Sequence, residues 1–315
     1  MKLTIGTRGS ALALWQAYYV AEAIEKKHPD IRVAVMKIKT KGDKILDTPL
    51  ALIGGKGLFT KEIEEALLDG RVDLAVHSMK DLPTELPEGL RLAAVLERED
   101  PRDVFVSRDG RSLVDLDAGD AIGTSSLRRK AFLLNRFPHL DITPIRGNVD
   151  TRVRKSKSED LSGVILAAAG IKRMGLTERV TEYISTDLII PAIGQGAMGI
   201  ETREDDPEVD DIVSRLNHYP TAACIGIERA FLQRMGGGCQ VPLAAYAEVT
   251  GDKAHITAAV VHPQGEPIIR TVAVVDSVDN RVGTELADTL IGRGADQILQ
   301  GVLGDDWAPG PAVSS

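Results

Sequence analysis

A chain of 315 residues, 43% hydrophobic and 27% charged, exceeds what one small core can organise, so two or three domains of a globular protein are expected. A net charge of −8 argues against a nucleic-acid partner, which would be tracked with a basic face. Cys224 and Cys239 are the only cysteines, so no disulfide framework is implied, and six scattered histidines have no metal-ligand spacing. No apolar run reaches membrane-spanning length, and MKLTIGTRGS runs straight into a strand; no membrane partner and a cytoplasmic location are expected.

Lys2–Gly6 reads as a strand. After the turn Thr7-Arg8-Gly9-Ser10 comes a helix, capped by Ser10, with Leu14, Trp15, Tyr18 and Ile24 as its buried stripe. It ends near Lys26-Lys27, before Pro29, and Ile31–Ile38 alternates as a second strand. Strand, helix, strand opens a parallel sheet. The connection Lys39–Gly57 contains Gly54-Gly55-Lys56-Gly57. It lacks P-loop spacing, and either a mobile active-site loop or a plain surface loop fits. A helix begins near Thr60, buries Ile63, Ala66 and Leu67, and closes at Gly70. Next, a strand through Val72, Leu74 and Val76 ends in the polar knot His77-Ser78-Met79-Lys80-Asp81, and Pro83 blocks continuation. In an open α/β sheet ligands bind outside the carboxyl ends of strands. A Ser, a Lys and an Asp there suit chemistry; a polar loop with an incidental Lys-Asp contact is the bland alternative.

Leu90–Leu96 is another strand, and Glu97–Asp103 is a dense charge run, either a solvated turn or a crossover between lobes. Asp103–Val106 and Ala121–Gly123 then open a second α/β unit. Here Ile122-Gly123-Thr124-Ser125-Ser126 echoes Ile5-Gly6-Thr7-Arg8-Gly9-Ser10. Each is a strand end, a Gly-Thr, a hydroxyl residue and a helix start, with free N–H groups that suit an anion. Leu140–Ile145 and Gly163–Leu166 read as further strands, the latter turning into a helix that carries Lys172-Arg173. Taken singly, each arginine reads as a surface residue. As a set, Arg8, Arg128, Arg129, Arg146, Arg152 and Arg173 fall at strand ends of an acidic protein. Guanidinium forks grip carboxylates bidentately, so a polycarboxylate ligand is the economical inference.

Pro191–Ile200 is apolar and glycine-rich and reads as a second crossover; two crossings allow hinge bending around a cleft. Pro207–Asn217 and Ala222–Met235 read as helices, the second with Cys224 in its buried face. Gly236-Gly237-Gly238-Cys239 is a loop that frees the backbone around a thiol. A helix C-terminus does not activate a thiol, so covalent attachment suits Cys239 at least as well as turnover, with an idle cysteine as the alternative. Leu243–Val249, Ala254–Val261 and Ile268–Val275 read as antiparallel strands, followed by one helix, Asn280–Leu299, and a disordered tail, 304–315.

Long motifs now stand together: TRGSALALWQA at 7–17, GGKGLFTKE at 54–62, AVHSMKDLP at 75–83, EREDPRD at 97–103, GTSSLRR at 123–129, RGNVDTR at 146–152, PAIGQGAMGIE at 191–201 and GGGCQVP at 236–242. Across nearly its whole length the chain resembles the porphobilinogen deaminase (hydroxymethylbilane synthase) family. The resemblance implies an α/β protein with two periplasmic-binding-protein-like lobes, a hinged cleft and a small C-terminal α+β domain. The implied boundaries are 1–97 with 198–217, 102–191, and 219–303. It implies a dipyrromethane cofactor joined by a thioether to Cys239, four porphobilinogen units added with loss of ammonia, and hydrolytic release of hydroxymethylbilane by a monomer. It makes Asp81 the catalytic acid, anion and base. Lys80, Arg128, Arg129, Arg146, Arg152, Arg8 and Ser10 become carboxylate binders, and Ser78, Thr124, Ser126, Arg173 and Gln195 supporting contacts. His77 is left structural. Asp150 replaces the family's usual glycine, and an inward carboxylate beside a carboxylate site is unfavourable, so it is expected to point outward. Two rivals are a two-lobed solute-binding protein, opposed by the placement of Asp81 and Cys239, and a cysteine-nucleophile transferase, for which Cys239 has no His or Asp partner motif.

Overall fold

The computed structural model describes residues 1–44, 57–157, 160–236, 241–276, 278–304 and 307–311. The chain divides into two compact units, Met1–Glu99 with Ala197–Ala222, and Asp100–Gly196 with Ala223–Ser315. Among the described residues no helix is long and apolar enough to cross a membrane.

The first unit is built on one five-stranded sheet of β1 (Lys2–Thr7), β2 (Arg32–Lys37), β3 (Leu74–Ser78), β4 (Leu90–Val95) and β10 (Met198–Arg203), in the order β2-β1-β3-β10-β4. β1 runs parallel to β2 and β3, whereas β10 runs antiparallel to β3 and β4. Successive strand residues face opposite sides, and the two sides have different covers. Helix α1 (Ala11–Lys27) lays Ala17, Val20 and Ile24 on Leu3, Ile5, Leu74 and Val76. Helix α2 (Lys61–Leu68) lays Ile63, Ala66 and Leu67 on Val72, Ala75 and Ile38. β1 and β3 therefore end at the same edge, between the first turns of these two helices.

The second unit repeats the plan. β5 (Asp103–Ser107), β6 (Ala121–Gly123), β7 (Asp141–Thr143), β8 (Gly163–Ala167) and β9 (Glu182–Tyr183) pair in the order β7-β6-β8-β5-β9. β6 is parallel to β7 and β8, and β5 is the antiparallel insertion between β8 and β9. Helices α3 (Leu127–Arg136), α4 (Val149–Lys155) and α5 (Ala168–Arg173) belong to this sheet. A separate antiparallel sheet holds β11 (Leu243–Thr250), β12 (Lys253–Val261) and β13 (Ile268–Val275). Its core is shared with Phe231 and Met235 at the end of α6 (Tyr219–Arg234), with Leu286 and Leu290 of α7 (Asn280–Ile291) and with Ile298 and Leu299 of α8 (Ala295–Leu303). Buried Glu228 staples this region, accepting the Gly194 N–H at 2.7 Å and the Ala247 N–H at 2.9 Å.

Four sequence expectations need correction. The buried stripe of α1 is not Leu14, Trp15, Tyr18 and Ile24: Trp15 and Tyr18 are exposed, and the helical period buries Gln16, Ala17, Val20, Ala21 and Ile24 instead. The single helix Asn280–Leu299 is two, broken at Gly292-Arg293-Gly294, where Gly294 adopts φ +95°, a conformation that disfavours other residues. The crossover 191–200 closes on a full strand, β10, whose hydrogen-bonding partners lie far back in the chain. The tail is not wholly disordered: the Trp307 indole N–H donates to the Met235 carbonyl at 3.1 Å, and the Gly310 N–H donates to the Arg234 carbonyl at 3.0 Å.

Gly163 opens β8 directly against β5. A Cβ there would meet the Phe105 ring and would lie 2.7 Å from the Val106 carbonyl oxygen. Backbone on one side and a fully buried ring on the other leave little room to give. Gly163→Ala is expected to cost about 1–3 kcal/mol, read as a lower denaturation midpoint in urea with an unchanged slope.

Candidate active site

At the shared edge of β1 and β3 a pocket is lined by Arg8, Ser10, Gln16, Phe59, Ser78 and Asp81, among others. Local chemistry sets each of them. Ser10 caps α1, its hydroxyl accepting the Ala13 N–H at 3.3 Å, so the chain leaving β1 turns sharply and carries Arg8 at the mouth. The Arg8 guanidinium stands 4.0 Å from the centre of the Phe59 ring, within cation–π range. Gln16, one turn into α1, donates to the Ser78 hydroxyl at 2.9 Å. Beyond Ser78 the chain makes a short 3-10 turn, Met79–Asp81. Met79 is buried while Lys80 is half-buried and Asp81 exposed, so one turn anchors itself and presents two charges. His77, in the pocket wall, and Glu201, behind it, are buried and joined, Nε2 to Oε2, at 2.8 Å.

The second unit holds Thr124, Ser126, Arg128, Arg129, Arg146, Arg152, Arg173 and Gln195. Ser126 caps α3, accepting the Arg129 N–H, and the Thr124 hydroxyl accepts the Ser126 N–H at 3.2 Å. The first turn of α3 thereby sends both arginines inward. There the structure supplies their carboxylate: Asp103, fully buried, accepts from Arg128 Nη2 at 2.8 Å and from Arg129 Nε and Nη2 at 3.1 and 2.8 Å. Arg128 also donates to the Ile190 carbonyl and Arg129 to the Ile165 carbonyl. Gln195 donates to Asp103 at 3.0 Å and to the Pro101 carbonyl at 2.7 Å. Burial alone would push the Asp103 carboxyl up; the two guanidinium groups outweigh it and hold the carboxyl well below the usual carboxylate range. Burial draws the Arg128 guanidinium down, with Asp103 opposing.

Among the other arginines, Arg152 donates to the Gly147 carbonyl at 2.8 Å and Arg173 to the Gly196 carbonyl at 2.7 Å. Nη2 of Arg146 is buried with no partner among the described residues. Asp150 is 3.5 Å from Arg154 one helical turn on, with its side chain 40% exposed. Cys239 lies outside the described residues. Sequence reasoning placed Asp103 in a charge run and at the start of the strand Asp103–Val106 but missed its role, although its place ahead of the apolar Val104-Phe105-Val106 was a signal of burial. It also missed Glu201, for which the sequence carries no signal beyond a lone acid in an apolar strand, and Phe59 and Gln16, which sat inside motifs without a role.

Two mixed α/β sheets with polar strand ends, joined in one chain to an antiparallel α+β sheet, set the architectural class. Residues 3–211 match the family model "Porphobilinogen deaminase, dipyromethane cofactor binding domain", and residues 222–292 match "Porphobilinogen deaminase, C-terminal domain". A porphobilinogen deaminase of Syntrophotalea carbinolica is 53% identical over 99% of this chain and 98% of its own. One from Geobacter sulfurreducens is 52% identical over 95% and 94%. Among solved structures, a YaeC-family lipoprotein of Enterococcus faecalis covers 68% of this chain and 90% of its own at 12% identity and a TM-score of 0.41. The chain belongs to the porphobilinogen deaminase family. It is a transferase with a dipyrromethane-binding domain. Porphobilinogen deaminase, or hydroxymethylbilane synthase, is the activity that this membership gives it.

Asp103→Asn would leave two buried guanidinium groups with no counter-charge. A loss of about 3–5 kcal/mol is expected near neutral pH. Because the native carboxyl is held low, its stabilisation is present above the unfolded value, about 3.9, and fades as pH falls through the native one. The gap between parent and variant, measured by chemical denaturation, should therefore narrow in acid.

Proposed function

We propose that Asp81 is the proton-transferring carboxylate of the reaction and that Arg8 and Ser10 hold substrate carboxylates beside it. The observation that carries this is the lining of one pocket by Arg8, Ser10, Ser78 and Asp81 at the ends of two parallel strands. Porphobilinogen brings an acetate, a propionate and an aminomethyl group. Arg8 and Ser10 suit a carboxylate, and Lys80 adds positive charge on the turn that bears Asp81. Asp81 then faces the amine. As a carboxylic acid it keeps a proton on the leaving nitrogen; as a carboxylate it stabilises the positive charge left on carbon; and it accepts the proton lost from the attacked pyrrole carbon.

The dipyrromethane, when bound, supplies the pyrrole carbon at which the first substrate adds. In this reading Cys239 holds it by a thioether, and Arg128, Arg129, Arg146, Thr124 and Ser126 receive its carboxylates, with Ser78, Lys80 and Asp81 also in contact. Arg152, Arg173 and Gln195 serve substrate. Two features support a polycarboxylate in the second unit. Among the described residues Arg128 and Arg129 share one carboxylate, Asp103, which leaves one excess positive charge in that buried cluster. Arg146 has a buried N–H without a partner among the described residues, a costly state that an anion relieves. The roles of Arg128, Arg129 and Gln195 are shared ones, because each already bonds Asp103.

Asp81→Ala is expected to retain carboxylate binding and to lose coupling by a factor of about 10²–10⁴, followed as tetrapyrrole formed per turnover; near-normal turnover removes Asp81 from the mechanism. Intact mass and peptide mapping should find two coupled pyrrole units on the peptide that contains Cys239. A bare peptide that stays bare after incubation with porphobilinogen refutes the attachment. Arg146→Leu should weaken retention of the cofactor or raise KM by about tenfold, as expected for a charge-assisted bond worth roughly 1.5–3 kcal/mol.

A further inference from the structure

The mechanism leaves one buried acid-base pair unused, and it stands in the pocket wall. In the β3–β10 register Gly199 lies opposite His77 and Glu201 lies opposite Ala75. Ala75, His77 and Glu201 therefore share one face of the sheet, the face that α2 covers with Ile63. On that face the pocket is walled by Thr60, Ile63 and His77. His77 is 6% exposed and Glu201 is 0% exposed. Their hydrogen bond, 2.8 Å, uses the imidazole Nε2. Glu201 also keeps a buried Oε1 with no partner among the described residues. A carboxylate is costly to bury on packing grounds alone, and a strand position between two neighbours calls for a hydrophobic residue, not an acid.

We propose that Glu201 and His77 form a dyad serving the pocket: Glu201 positions the imidazole, and His77 holds the proton that Asp81 removes until ammonia takes it. The inference rests on the reading of Asp81 given above. With Nε2–H bonded to the carboxylate, Nδ1 is the nitrogen left to accept a proton. The balance closes. Each coupling breaks a C–N bond, whose electron pair leaves on nitrogen. A C–C bond forms, and the pyrrole C–H bond returns its pair to the ring. The proton leaves on ammonia as ammonium, and the dyad ends each round as it began. Around the imidazole the charged groups among the described residues are Glu201 from β10, Glu64 from α2, and Arg8 and Asp81 in the same pocket. Burial raises the Glu64 carboxyl above its ordinary value, and the charge of Glu201 adds to this.

The test uses the assembled enzyme, its His77→Gln and Glu201→Gln variants, and ring-nitrogen NMR of the parent labelled at histidine. His77→Gln should lower kcat by about tenfold or more, hold KM within about twofold, and flatten the acid limb of the kcat–pH profile. Glu201→Gln removes the group that orients the ring and should also lower kcat by about tenfold, with KM within about twofold. In the parent, the ring-nitrogen NMR of His77 should show the proton on Nε2, toward Glu201, and Nδ1 bare. A ring with its proton on Nδ1, or folded variants with the parent profile, overturns the proposal. If the variants do not fold, the parent's NMR decides alone. An unchanged profile in His77→Gln beside an inactive Asp81→Ala removes the dyad and keeps Asp81. An active Asp81→Ala removes the reading on which the dyad rests, whatever the ring does.

Discussion

Two guanidinium groups and one carboxylate, all withdrawn from water, organise the second unit. Asp103 opens β5, Arg128 and Arg129 open α3, and Gln195 lies on the segment after Ile190. Each arginine also caps a carbonyl, of Ile190 or Ile165, so four stretches distant in sequence are fixed by one charge cluster. Such a cluster is weak as a source of net stability, since desolvation consumes much of the Coulomb gain. It is strong as a constraint: any rearrangement that separates the partners leaves a bare buried ion. The strand end it fixes is the one from which Thr124 and Ser126 project, so rigidity here belongs to function as much as to folding.

The two five-stranded sheets share a strand order but are assembled differently. In the first, the antiparallel insertion is β10, added after the chain has completed the other sheet; in the second it is β5, placed before its neighbours exist. The parallel strands β1 and β6 each feed a helix capped by a serine. The echo Ile-Gly-Thr visible in the sequence marks this shared turn. What differs is the use of the arginines. Arg8 faces a pocket and stacks on Phe59, whereas Arg128 and Arg129 turn into the protein.

Local signals were legible. Alternation gave β2, turn residues separated the three C-terminal strands, and Ser10 and Pro29 bracketed α1, because these follow from neighbours in sequence. Partnership across the chain was not. The acids of Glu97–Asp103 looked alike, yet Asp100 pairs with Arg102 and Lys172 near the surface while Asp103 is fully buried. No periodicity separates them; only the positions of Arg128 and Arg129 do. Likewise β10 was hidden in a glycine-rich apolar stretch, because an antiparallel insertion is decided by strands a hundred residues away. The break at Gly292-Arg293-Gly294 was a missed feature whose signal was local. The constellation of Arg8, Ser10, Ser78 and Asp81 came from motif and strand-end logic together; Glu201 behind His77 had no such cue.

The docking of Trp307 has an optical consequence. The chain has two tryptophans. Trp15 is 37% exposed and stacked on Tyr19 at 5.2 Å; Trp307 is partly buried, with its indole bonded to the carbonyl of Met235, the residue before Gly236 and the stretch that leads to Cys239. An indole held at that point is a native fluorophore beside Met235 and Gly236. With Trp15 replaced by phenylalanine, the emission of a single tryptophan would report the state of the end of α6 in the unlabelled enzyme.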